Sequence, residues 1–254
     1  MSSEFPHPSN KVIALVGDTH ANARWTLRVL EGLAADGVEV VVQLGDFGWW
    51  PETGFAQHVS RIAVHSEISV CFIDGNHENH WDLRVAADSR NHGSSLTEPV
   101  GMHPGLWYLP RGSGWEWSGV KFRALGGAFS IDHRWRTAGY DWFPDEESPS
   151  EADADRAAKG GPADVLLCHD HPEMGYRLAS FRIPESDERA SLQVRRRLAA
   201  VVEAINPSLV VHGHWHQAYE IERGGVTVRG FDCDETPNAV ALLDRSTLKT
   251  HDWP

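Results

Sequence analysis

Five short apolar runs punctuate the chain, and each ends in a cluster of Gly, Asp, Asn or His. The first three are Val12–Val16 before Gly17-Asp18-Thr19-His20, Val38–Leu44 before Gly45-Asp46, and Ile68–Ile73 before Asp74-Gly75-Asn76-His77-Glu78. Two more lie far downstream: Val165–Cys168 before His169-Asp170-His171, and Leu209–Val211 before His212-Gly213-His214-Trp215-His216. Runs of this length, rich in Val and Ile and with little alternation, predict strands covered on both faces. Between the first three, Trp25, Val29, Leu30 and Leu33 fall at helical spacing, and a second helix is predicted from Phe55 to Ser66. Leu198, Val201, Val202 and Ile205 share one face of a later helix, with Arg195, Arg196 and Arg197 leading onto the other, and Pro207 stops it.

Strand–helix–strand alternation predicts parallel pairing, with the loops gathered at the C-terminal edge of the strands. The polar clusters therefore meet in space although they span residues 17 to 216. Between Gly105 and Leu125 the pattern changes to Trp107–Leu109, Trp115–Trp117 and Val120–Leu125, short pieces that predict antiparallel hairpins. Val226–Val228 and Ala239–Leu243 look similar. The expected architecture is an α/β layer joined to a more antiparallel second sheet, in one domain over residues 1–254. The acidic stretch from Asp145 to Asp155, with Pro149 inside it, is expected to be a solvated loop.

Composition narrows the function. The 254 residues carry 23 Lys+Arg against 36 Asp+Glu, a formal charge of −13. That excess counts against a nucleic-acid coat or a binder of anionic membranes, which need a basic face. A local phosphate pocket stays open if metal ions supply the positive charge. Cys71, Cys168 and Cys233 lie far apart without a CxxC, so they form neither a disulfide framework nor a thiolate zinc site. Cys71 and Cys168 read as core thiols. No apolar run approaches the roughly 18 residues that span a bilayer, and Met1–Lys11 lacks the apolar core of a signal peptide. A cytoplasmic protein with no membrane association is expected.

Asp18 and His20 put a carboxylate and an imidazole two residues apart on one strand-end turn, and His214 and His216 repeat the spacing with two imidazoles. Asp46, Asn76 and His169 add a carboxylate, a carboxamide oxygen and an imidazole from three further strand ends. A mixed nitrogen and oxygen set without thiolate favours Mn²⁺, iron, Co²⁺ or Zn²⁺. These seven donors are too many for one ion. They divide over two, with a carboxylate able to bridge, and two-metal sites suit phosphoryl displacement.

The order Gly17-Asp18-Thr19-His20, Gly45-Asp46, Gly75-Asn76-His77-Glu78, His169, Gly213-His214-Trp215-His216 resembles the calcineurin-like metallophosphoesterase family. Gly126 to Asp132, followed by Arg134 and Arg136, resembles its actinobacterial and phage-encoded members. The resemblance implies a four-layer α/β/β/α sandwich of two mixed sheets with two metals at the strand ends. It also implies that Asp18, His20 and His216 hold one ion, that Asn76, His169 and His214 hold the other, and that Asp46 bridges. The ions are expected to be divalent or mixed-valence, Mn²⁺ and/or Fe, with Zn²⁺ admissible. One departure stands out. Family members commonly read GDxxD, whose second carboxylate orients the catalytic His, and here Trp49 occupies that place. Either another acid substitutes for it or His77 works without one.

The expected reaction is hydrolysis of a small phosphoester by a hydroxide shared between the ions, with His77 as general acid or transition-state stabiliser. His80 and His171 flank the motifs as candidate substrate contacts or as supporting residues. Arg134 and Arg136 are candidate phosphate clamps or plain surface charges. Trp49, Trp50, Trp135 and Trp142 are candidates for the pocket wall or for the core. An indole at position 49 is taken to make the pocket edge apolar, which favours diesters, cyclic nucleotides and other small nucleotide esters among them. A phosphomonoesterase and a nuclease on the same metals are the alternatives, and a non-catalytic metal scaffold is a third.

Overall fold

The structure, a computed structural model of the chain, describes residues 4–91, 97–176 and 183–254. Two sheets pack face to face, with helices on each outer side. The first sheet runs in the order β13-β12-β1-β2-β3-β5-β4. Its centre is parallel: β1 (Val12–Val16), β2 (Val40–Gln43), β3 (Ser69–Phe72) and β5 (Leu106–Tyr108). The strands β12 (Val240–Asp244), β13 (Lys249–Asp252) and β4 (Val100–His103) join antiparallel.

The second sheet runs β10-β11-β9-β8-β7-β6. The sheet is mixed, as the resemblance implied, and the expectation of a more antiparallel second sheet needs refinement. The strands β7 (Val120–Leu125), β8 (Val165–Cys168), β9 (Leu209–His212) and β11 (Val226–Gly230) are mutually parallel. Only the edges, β6 (Gly114–Trp117) and β10 (Tyr219–Arg223), pair as hairpins. The hairpins predicted from short turn-punctuated pieces are real, but crossovers dock them onto a parallel centre.

The alternation along β1 explains why its whole run is apolar. Ile13 and Leu15 enter the core between the sheets, beside Val42, Phe122 and Val211, whereas Ala14 and Val16 face the outer helices. Each Val or Leu fully buried this way contributes about 1.5–3 kcal/mol of transfer free energy before conformational entropy. Two helices cover the first sheet where spacing predicted them. In α1 (Ala23–Ala35) the Asn22 side chain caps the amide of Trp25, and Trp25, Val29, Leu30 and Leu33 are buried. The second, α2 (Phe55–His65), buries Phe55, Val59 and Ile62. A third, α3 (His80–Arg90), follows the Asn76 cluster and buries only His80, Leu83 and Ala87, too few for the periodicity to show.

On the far side, α5 (Glu185–Ile205) ends at Asn206 in the left-handed conformation, just before Pro207, and packs Leu198, Val201, Val202 and Ile205 on the second sheet. The acidic stretch is not wholly loop. Its second half forms α4 (Glu151–Lys159), started by a capping box between Ser150 and Asp153. Its acids favour the N-terminal end of the helix dipole. No helix among the described residues is long and apolar enough to cross a membrane.

Candidate metal centre

The five polar clusters leave the C-terminal ends of β1, β2, β3, β8 and β9 and are stitched together by backbone bonds. The amide of His20 donates to the Asp46 carbonyl at 2.9 Å, and that of Gly213 to the His169 carbonyl at 3.1 Å. Asp18 is fully buried and accepts the His214 amide on both oxygens, at 3.1 and 3.2 Å. Gly213 must be glycine, because a Cβ there would overlap Asp18 Oδ1; at Gly75 a Cβ would overlap Asp46 Oδ1. Four of the expected donors, His20, Asp46, His214 and His216, sit at φ of 44°, 50°, 67° and 47°. Non-glycine residues there cost about 1–3 kcal/mol each and persist where the surroundings enforce them, which is a mark of function.

Asp46 is the hinge of the arrangement. Its Oδ2 faces His20 Nε2 at 3.5 Å and its Oδ1 faces His169 Nε2 at 3.3 Å. On one side, His216 Nε2 lies 3.1 Å from Asp18 Oδ2. On the other, Asn76 Oδ1 lies 3.1 Å from His169 Nε2. The amide orientation of Asn76 is set by its nitrogen, which donates to Ser130 Oγ at 3.0 Å. His169 Nδ1 donates to the Leu44 carbonyl at 2.8 Å, which turns Nε2 inward. His20 is held similarly, Nδ1 lying 3.3 Å from Asp234 Oδ1.

Two groups of residues thus bring donor atoms close enough to hold an ion: Asp18, His20 and His216, and Asp18, Asp46 and His169. His214 joins neither, though its ring lies 5.1 Å from that of His169. The electrostatics ask for cations. Among the described residues, Asp18 and Asp46 have only histidines as ion-pair partners. Burial alone would lower the pKa of both His169 and His20. Instead Asp46 and Asp18 raise His169 to about 10, and Asp46, Asp18 and Asp234 raise His20 to about 9. Two buried carboxylates that draw protons this strongly, among nitrogen and amide-oxygen donors, fit a pair of metal ions.

Next to the cluster lies a cavity of about 370 Å³, lined by His20, Gly48, Trp50, His77, Asp132 and Arg136 among others. The His77 amide donates to Asp46 Oδ1 at 2.8 Å, and its carbonyl accepts from Trp50 Nε1 at 2.8 Å. That places the imidazole beside the cluster, with Nε2 at 3.6 Å from Asp132 Oδ2. The model of the calcineurin-like phosphoesterase family matches residues 11–218. The chain belongs to that family.

No curated protein matches the sequence. Among solved structures, TT1561 of Thermus thermophilus is similar over 95% of this chain and 97% of its own, at TM-score 0.60 and 16% identity. A dimetal phosphatase from Danio rerio is similar over 91% of both chains, at TM-score 0.54 and 14% identity. At these identities the likeness is one of fold.

Within this calcineurin-like frame several expected site residues stand elsewhere. Trp49 is not at the pocket edge: it is buried and stacks on Phe72 with centroids 5.9 Å apart, because its neighbour Trp50 turns to the cavity. Arg136 lines the cavity but spends its guanidinium on the protein, donating to Ser130 Oγ at 2.7 Å, the Asn76 carbonyl at 3.3 Å and the Asp141 carbonyl. Arg134 is half exposed and pairs with Asp187 at 3.4 Å. His80 is buried in the first turn of α3, and burial drives its pKa down to about 3. His171 is fully buried against Arg195, 3.3 Å away, and the Pro172 carbonyl, 3.0 Å away. Neither histidine lines the cavity. Trp135 is 84% exposed, and Trp142 stacks on His133 at 5.0 Å.

Other residues that build the site escaped the sequence reading. Glu78 accepts the amides of Phe47, Gly48 and Trp49 at 2.7, 3.0 and 2.5 Å, which ties the Asp46 turn to the Asn76 turn; its place inside Gly-Asn-His-Glu was the available signal. Gln43 grips the Gly17 carbonyl at 3.1 Å from inside an apolar run. Asp234 carried no pattern, while Ser130 and Asp132 lay in the Gly126–Asp132 stretch and Glu147 in the acidic run without a role of their own.

Proposed function

We propose that the chain, as one domain, is a two-metal phosphoesterase that prefers small phosphodiesters, nucleotide esters among them. The carrying observation is Asp46, whose two carboxylate oxygens face histidines on opposite sides of the cluster. In this reading Asp18, His20 and His216 hold one ion and Asn76, His169 and His214 the other, with Asp46 between them. Manganese or iron suits these donors best, and zinc is compatible. When bound, two such ions polarise phosphoryl oxygens and activate water for in-line attack. His77 stands beside them to give its ring proton to the leaving oxygen as the P–O bond breaks.

The wall supports the diester preference. Arg136 is committed to the protein, and Asp132 and Asp141 add negative charge to the cavity, so a dianionic monoester meets no free guanidinium there. Trp50 offers an apolar face to a second ester group. The test compares kcat/KM of the Mn²⁺-loaded enzyme for bis-p-nitrophenyl and p-nitrophenyl phosphate, which share a leaving group. The diester should be turned over at least as well. A monoester preference of about tenfold or more, roughly 1.4 kcal/mol at the transition state, would reject the diesterase reading. No turnover of either by the loaded protein would reject the hydrolase itself.

A further inference from the structure

His77 is the one imidazole of the cavity whose ring is held neither by a strand-end carbonyl nor by a carboxylate of the buried cluster. Its Nδ1 makes no hydrogen bond among the described residues, and its Nε2 faces Asp132 Oδ2 at 3.6 Å, an ion-pair separation. Asp132 comes from the segment between β7 and α4, not from the strand-end turns. Position 49, which lies on the Asp46 turn, carries an indole buried in the core and supplies no carboxylate.

Asp132 is itself fixed. Its other oxygen lies 3.6 Å from Arg136 Nη1, and Arg136 is anchored to Ser130 Oγ and to the carbonyl of Asn76, the residue that precedes His77. The carboxylate and the imidazole are thus tied to the same short stretch of backbone from two directions. A carboxylate against one ring nitrogen fixes the orientation of an imidazole and leaves the other nitrogen for the reacting group.

We propose that Asp132 is the positioning residue of His77. The segment after β7 thereby supplies the carboxylate partner that the turn after β2 does not. The proposal rests on the role given to His77 above, so the test separates the two. Asp132 is 38% exposed at its side chain, and Asp132→Asn removes charge without removing packing.

The experiment is a cycle of wild type, Asp132→Asn, His77→Ala and the double variant, each assayed on a diester with a p-nitrophenolate leaving group and on one with an alkoxide, with metal content measured alongside. His77→Ala should lose on the order of 10²–10⁴-fold in kcat on the alkoxide ester. Asp132→Asn should lose on the order of 10- to 100-fold on that ester and far less on the p-nitrophenyl ester, with metal content unchanged. In the His77→Ala background the same substitution should change nothing further. An equal loss in both backgrounds would overturn the proposal, since Asp132 would then act on substrate or loop and not through His77. Loss of metal in Asp132→Asn, or full activity on the alkoxide ester while His77→Ala is impaired, would overturn it as well. Full activity of His77→Ala would instead sink the role of His77 itself.

Discussion

In the donor cluster, the floor of the site, Asp18, Asp46 and His214 leave strand ends through turns that admit no Cβ at Gly75 or Gly213 and hold three histidines and one aspartate at positive φ. On the wall, Asp132, Arg136 and Asp141 belong to an irregular segment with one 3₁₀ turn, His133–Trp135, that is shaped by local backbone turns and fastened to Ser130 and to the Asn76 carbonyl by the side chain of Arg136. The turns of the floor are joined to one another through backbone groups, whereas Asp132 and Arg136 of the wall reach the floor through side chains. Backbone placement in buried strand-end turns gives ligands little freedom, which suits ions that need fixed donors. Side-chain placement lets relatives with one floor differ in what they accept.

That contrast breaks if a floor substitution leaves metal binding untouched. Asp234→Asn should weaken binding of an ion beside His20 by about 10- to 100-fold, since it removes the carboxylate that holds Nδ1. Competition with a chelator, read by elemental analysis, measures this. The wall substitution Asp132→Asn should leave the same titration unmoved, and a parallel loss of metal from both variants would erase the distinction.

A smaller effect sharpens it through pH. His169 and His20 have folded pKa values raised to about 10 and about 9, so in metal-free protein their stabilisation is full below the unfolded value near 6.5 and is lost as pH rises through 9 to 10. His80, His171 and His212 are buried neutral and lowered to about 3, 4 and 3, so their contribution is lost as pH falls below 6.5. Metal-free protein should therefore show a Tm maximum near neutrality, falling on both sides by a few degrees. Saturating Mn²⁺ should abolish the alkaline fall alone, because bound ions replace the protons on His169 and His20. A metal-free Tm that is flat from pH 6.5 to 10 would contradict the electrostatics of the floor.

The same contrast marks what was legible in the sequence. Val12–Val16 and Val165–Cys168 could be read because burial on both faces leaves no polar position, and their polar ends could be read because a strand end is where a parallel sheet gathers its loops. Trp49 and Trp50 were not separable. Successive residues on extended backbone point to opposite sides, and nothing local says which side is core. The helix α4 had its Ser150–Asp153 signature in plain view, hidden by an acidic run that reads as solvated. Asp132 stood at the end of the Gly126–Asp132 stretch, but its place beside His77 was not legible, because it depends on Arg136 folding back to the Asn76 carbonyl, 60 positions away in sequence.

The central claim is a pair of ions joined through Asp46, and metal stoichiometry tests it most directly. After reconstitution with Mn²⁺ and removal of free ion, elemental analysis of the wild type should approach two ions per chain, about 3.5–4 Å apart where spectroscopy reads their coupling. Asp46→Ala should lose both ions together, because in the proposed site each would depend on this carboxylate, whose oxygens face His20 and His169. A wild type fully active with a single stable ion, or an Asp46→Ala variant that keeps two, would contradict the account.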